Sequence, residues 1–321
     1  MTKIGRIIYT NTPLPFLFRK SKHWYLPGFH GIALYDVIEF YKKQIKLNGL
    51  AERASAIAYN FIMAIPPSLL FLFTLIPNLP FISKKSLKYQ LHALIVDIIP
   101  ARGYNKQVTD FVDTFIDGSK IGLISFGLLL SLFFASNGMM GIMRSFNKSY
   151  HGFEKRRKLH MRGVALRLTV LLFGLLFTYL ILLIMQGAIL KMIVQKDWLR
   201  TLIFYTRWIP IILLVFFSVG FIFRYAPAVK IKWKFASPGT ILTTVLSLLA
   251  SLGFSAFVNN FGRYNALYGS IGTIMMIMAL IYLNSLALLI GFELNVSINS
   301  LRLLALQKEH KENQANKKVT L

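Results

Sequence analysis

The stretch LLIGFELNVSI, residues 288–298, puts a carboxylate, Glu293, at the end of an apolar run that begins near Tyr268. No other carboxylate occurs in the apolar runs of the chain. An ionised side chain at membrane depth is costly, so it marks an ion path, a partner cation or the point where the helix meets water. Arg144 and Arg53 both fall where apolar helices end or begin, and either could pair with Glu293. Such a pair would anchor one helix end to another; a pathway gate is the second reading.

Other polar residues recur at helical spacing. Asn60 lies about two turns before Pro67, and Pro66–Pro67 sit mid-run, where missing N–H donors should kink or open a helix. That break either flanks a substrate path or only adjusts packing. The segment FFASNGMMGIMRSFNKSY sets Ser136, Asn137, Gly138 and Gly141 in the inner half of the second run, with Arg144 seven residues after Asn137, on one face. Asn147 follows at its end. Thr240, Thr244, Ser247, Ser251 and Ser255 form one stripe, suited to close helix contact or to a water-facing wall. Thr273, Asn284 and Asn295 recur every eleven residues and so share a face, with Asn284 near mid-membrane.

Enzyme signatures are poor. The six histidines show no metal-ligand spacing, there is no P-loop or GxSxG string, and the chain has no cysteine. No cofactor, no metal and no catalytic residue is expected.

The elements that must hold these residues follow from composition. Hydrophobic residues make up 55% of the 321 positions, charged residues only 15%, and mean hydropathy is +0.56. Six runs approach the roughly 20 residues a helix needs to cross a bilayer: Ser55–Ile76, Ile121–Met143, about Val164–Gln186 (with an option to run on to Val194), Trp208–Phe223, Gly239–Val258 and Tyr268–Phe292. The fourth is short unless Thr201–Arg207 belongs to it. The expected fold is all-α: a polytopic membrane protein with six transmembrane helices in residues 54–300. A cytoplasmic N-terminal segment, 1–53, precedes them and a polar cytoplasmic tail, 301–321, follows, with disorder expected over 307–321. The first run starts too late for a signal peptide, so the first span itself is expected to direct insertion.

Net charge is +25. The cations sit in loops between apolar runs, which points to anionic lipid headgroups rather than nucleic acid. With both termini cytoplasmic, the inner segments hold 25 of the 37 lysines and arginines and the outer loops 11. Ile32–Leu50 reads as an interfacial amphipathic helix, or as a surface helix packed on the bundle. YQLHALIVDII and VTDFVDTFI in the first outer loop read as short amphipathic helices.

Four ordered segments resemble the YihY/BrkB family of bacterial inner-membrane proteins, across roughly residues 35–300. They are ASAIAYNFIMAIPPSLL, SNGMMGIMRSFNKSY (with Gly138, Asn147 and Tyr150), FRYAPAVKIKWKFASPG (with Tyr225, Pro227, Trp233, Pro238 and Gly239) and YGSIGTIMMIMALIYLNSLALLIGFELN. Pro66–Pro67 and Phe292, where family members usually have a small residue, depart from the pattern. The resemblance implies six spans, both termini inside, and a bacterial inner membrane. The family has been named for tRNA-processing ribonuclease and for serum-resistance virulence. A ribonuclease fits poorly, because metal-dependent nucleases need clustered carboxylates or histidines. The expected function is a transporter or flippase-like lipid-translocation protein of the envelope, moving a small molecule or lipid. Asn60, Asn137, Arg144, Asn284 and Glu293 would tune its path. A non-catalytic envelope scaffold is the alternative.

Overall fold

A computed structural model describes residues 24–29, 31–47, 49–75, 121–147, 153–154, 156–193, 208–229, 231–260 and 263–319, with a few isolated positions between them. Eight helices are described: α1 Leu34–Leu47, α2 Leu50–Leu75, α3 Ile121–Ala135, α4 Asn137–Phe146, α5 Lys158–Ile193, α6 Trp208–Tyr225, α7 Pro238–Asn260 and α8 Arg263–Val319. Among the described residues, five helical stretches are long and apolar enough to cross a membrane, and Ile209–Tyr225 is a shorter sixth. Their outer faces carry exposed apolar side chains such as Leu129 (65% exposed), Leu249 and Ile274, a surface suited to lipid rather than water. The chain is a multi-pass helical membrane protein.

The expected spans map onto these helices with informative differences. The second is two helices, α3 and α4, meeting at Ser136. The ladder continues across the joint, since Ser136 N–H donates to Leu132 O (3.1 Å) and Met140 N–H to Ser136 O (3.0 Å). The third takes its longer option, to Ile193. Thr201–Arg207, which would lengthen the fourth, lies outside the described residues. Pro66 and Pro67 do not interrupt α2, which stays helical from Leu50 to Leu75. Proline keeps a helical φ; its cost here is the lost N–H donors to the carbonyls of Ile62 and Met63.

The tail corrects an expectation. Instead of disorder, α8 carries its helix through QKEHKENQANKK to Val319. Gln, Glu, Lys and Ala are good helix formers, no proline interrupts α8, and Gln314 meets His310 one turn away at 3.0 Å. The proposed outer-loop helices lie mostly outside the described residues. At seven positions of the first outer loop, Lys85, Lys88, Tyr89, His92, Thr109, Asp110 and Asp113, the backbone is helical. His92 Nε2 and Lys88 Nζ approach Asp113 at 2.9 and 3.5 Å.

Packing is tightest between α7 and α8. A Cβ on Gly291 would lie 1.9 Å from Thr243 Oγ1, and one on Gly239 would lie 2.1 Å from Gly291 O. Neither position admits a side chain, so the two backbones touch. α2 packs against α3, α4 and α8, α5 packs against α6, and α1 lies on α8 through Val37, Ile298 and Phe29. The Ile32–Leu50 segment is therefore docked on the bundle.

Candidate functional site

Glu293 is fully buried, and Arg53, in the first turn of α2, is 6% exposed. Arg53 Nη1 donates to Glu293 Oε1 in a direct ion pair. The other guanidinium nitrogen, Nη2, donates to Ser145 O at 2.8 Å, so one arginine ties α2 to α8 and to the end of α4. Tyr150 adds its hydroxyl, donating to Glu293 Oε1 at 2.6 Å, and Ser297 Oγ donates to Glu293 O. Of the two candidate arginines Arg53 is the partner; Arg144 is exposed. The reason is rotational: Met143, Ser145 and Phe146 fill the core-facing side of α4, which turns Arg144 outward.

Around the ion pair the walls are aromatic. The Phe292 ring stacks on Phe146 at 3.8 Å, and Tyr150, Phe153, Phe223 and Trp233 all lie within 6.3 Å of it. The Arg53 guanidinium stands 6.0 Å from the same ring. Phe292 is thus the hub of the core. In so apolar a setting the pair is strong, but losing either partner strands a charge. Two phenols outside the spans feel the carboxylate. Burial first, and then the charge of Glu293, push Tyr41 up to about 12 and Tyr150 further above its ordinary value. Both stay neutral donors over the physiological range. Tyr41 donates to Ile290 O at 3.3 Å, which joins α1 to the same turn of α8.

Asn295, half a turn beyond Glu293, does different work. Its Oδ1 accepts from Gly239 N–H (2.9 Å) and its Nδ2 donates to Ser237 Oγ (2.8 Å). Ser237 Oγ also accepts from Thr240 N–H at 3.3 Å. The α7 N-terminus, opened by Ser237–Pro238, is thus capped from its own chain and from α8. Thr240, Thr244 and Ser247 of the small-residue stripe are buried, while Ser251 and Ser255 are exposed. The stripe is a helix contact over its first half only.

The remaining expected residues do not gather at Glu293. Asn60 donates to Ala56 O and Asn284 to Leu280 O, each within its own helix at 2.7 and 3.0 Å. Asn60 also packs where Gly141 leaves room, since a Cβ there would lie 2.5 Å from Asn60 Cβ. Asn137 Oδ1 accepts from Arg162 Nη1 at 2.7 Å, and that guanidinium covers the Phe133 ring at 3.6 Å. Asn147 Nδ2 contacts Met161 Sδ at 3.0 Å. Pro66 and Pro67 lie beside an apolar groove of 340 Å³ between α2, α3–α4 and α5, lined by Phe61, Ile65, Leu69, Met139, Phe173 and Leu176 among others.

Sequence reasoning missed Arg156. It donates to the last carbonyls of α6 and beyond: Tyr225 O and Ala226 O through Nη1, and Pro227 O through Nη2 at 2.9 Å. Burial lowers its pKa from the ordinary arginine value. Within the run KRRK nothing distinguishes this arginine from its neighbours, which are read as lipid-facing charge. Tyr150 was visible only as a motif residue.

Segments far apart in sequence therefore meet at one end of the bundle: Tyr150, the Trp233–Gly239 segment and Gly291–Asn295. Residues 42–317 match the family described as virulence factor BrkB. The chain belongs to the BrkB family. Among relatives, YfkH of Bacillus subtilis strain 168, described as ribonuclease-like, is 30% identical over 256 residues, covering 77% of this chain and 89% of its own. A UPF0761 membrane protein of Chromohalobacter salexigens is 28% identical over 249 residues, 75% of this chain and 58% of its own. Another, Smlt0865 of Stenotrophomonas maltophilia, is 34% identical over 91 residues, 28% of this chain and 22% of its own. No solved structure matches. The BrkB match runs from within α1 to within the last turns of α8, so it spans the ion pair, the aromatic core and the α7 cap alike.

Proposed function

We propose that this BrkB-family chain is a transporter or flippase-like lipid-translocation protein of the bacterial inner membrane, with both termini cytoplasmic. The observation that carries this reading is the groove of 340 Å³ beside Pro66–Pro67. Its lining is apolar apart from Ser68, Thr169 and the glycine at 138, and its volume falls in the range of small-molecule sites. It suits an acyl chain entering from the bilayer. The carbonyls of Ile62 and Met63, without helical donors, soften α2 at that level. Anionic headgroups would be drawn to the basic end of the bundle.

The test is reconstitution in vesicles, following fluorescent lipid and solute movement. Protein-dependent flux is expected, and Leu69→Trp, which adds bulk at the exposed edge of the groove, should reduce it while the protein remains folded. No flux across a broad panel of lipids and solutes overturns the reading.

One observation favours a second reading, a non-catalytic envelope scaffold: Glu293 is held by Arg53 and Tyr150 rather than left facing a path. As a scaffold residue, Glu293→Gln lowers folded yield; as a gate, it leaves the fold intact and stops flux. The ribonuclease-like description of YfkH suggests a third activity. Metal-dependent cleavage of tRNA precursors by the purified protein would establish it.

A further inference from the structure

At the Glu293 end of the bundle, outside the ion pair, lies a pocket of 160 Å³ between the α6–α7 connection and α8. Lys232, Lys234 and Arg302 line it, with Asn299 and Asn295, and no carboxylate is among the lining residues. The N-terminus of α7 borders it, with the Gly239 and Thr240 amides already held by Asn295 and Ser237, so the charge of the pocket comes from its side chains. Gly28 closes one side: its φ is +89°, and a Cβ there would come within 3.0 Å of Pro238. Trp233 forms another wall, and its buried indole N–H has no acceptor among the described residues. Ile231, on the rim, is 60% exposed, an apolar step beside the cations.

This set is built for more than one negative oxygen. A carboxylate offers two oxygens and one charge. Three cations, one of them an arginine fork, match the several oxygens of a phosphate better. The volume is below that of a drug-sized site, which fits a compact anionic group and excludes a bulky ligand. The exposed Ile231 sets an apolar side chain at the mouth beside the cations, where an acyl chain could follow a bound headgroup.

We propose that the pocket formed by Lys232, Lys234, Asn299 and Arg302 binds a phosphate group, either that of an anionic phospholipid headgroup or free phosphate. This deepens the translocation reading and rests on it only for the lipid source. Binding is measured without flux, so the pocket and the flux can fail separately.

The experiment uses the full chain in nanodiscs of zwitterionic phospholipid with graded phosphatidylglycerol, and native mass spectrometry of retained lipid after release. Inorganic phosphate is titrated in parallel, followed by tryptophan fluorescence. Saturable retention of phosphatidylglycerol is expected, and Lys234→Gln/Arg302→Gln should weaken it by about ten-fold or more. The charge-matched control Lys43→Gln/Lys46→Gln, on α1, should leave it unchanged. Saturable binding of phosphate with no retained lipid, lost in the same pocket variant, supports the pocket and assigns it to the free anion. Should the double variant not fold, Asn299→Glu, which puts a negative charge in the pocket, must produce the same loss. Equal loss in the pocket and control variants, or no saturation with either ligand, overturns the proposal.

Discussion

At the scale of single residues, the central object is a charge pair in an aromatic setting. Arg53 and Glu293 are both buried, and Phe292, Phe146 and Trp233 leave little water to solvate a stranded partner. Removing one member of such a pair costs about 3–5 kcal/mol, whereas replacing both by apolar residues of similar size is often close to neutral. Arg53→Met and Glu293→Leu singly should therefore destabilise the detergent-solubilised protein by about that amount, and the double variant by clearly less than either alone. Thermal unfolding of the four proteins in one detergent measures this. Additive losses would mean that the two side chains do not stabilise each other. Tyr150 belongs to the same unit, because its hydroxyl satisfies the oxygen that Arg53 also holds.

At the scale of elements, the glycines at the α7–α8 crossing matter more than the polar stripe beside them. Any side chain at residue 291 collides with Thr243 and with the Gly239 carbonyl, and the second of these is backbone that cannot rotate away. Gly291→Ala should cost about 1–3 kcal/mol through overpacking. Gly253→Ala, where a Cβ meets nothing within 4 Å, should be neutral or slightly stabilising. A comparison of their melting temperatures separates a crossing held by backbone contact from one held by the Thr and Ser hydroxyls. The stripe was visible as a period in the sequence. Its division into a buried half and an exposed half was not, because spacing fixes which residues share a face but not how far along the helix the neighbour extends.

For the molecule as a whole, the proposed orientation, which rests on the distribution of basic residues, puts the Glu293 end, the basic pocket and both termini in the cytoplasm. A reporter active only in the cytoplasm, fused after Leu321, should be active, and a reporter inserted within residues 194–200 should be silent. The opposite pattern would invert the protein and place the basic pocket on the outer leaflet. This prediction is independent of flux and of ligand binding, and it orients both.

Class and span positions were legible in the chain itself, since hydropathy and helical period are local properties that a bilayer turns directly into spans. The sequence determined a membrane protein with a carboxylate near one end of its last apolar run, and narrowed the partner to two arginines. Only tertiary structure decided between them: Arg53 and Glu293 are 240 residues apart, and the rotation of α4 that turns Arg144 outward depends on what Met143 and Phe146 find to pack against. The same holds for Asn295 capping α7 and for Arg156 holding the end of α6. Each side chain satisfies backbone groups of a distant segment, and that requirement exists only once the helices have met.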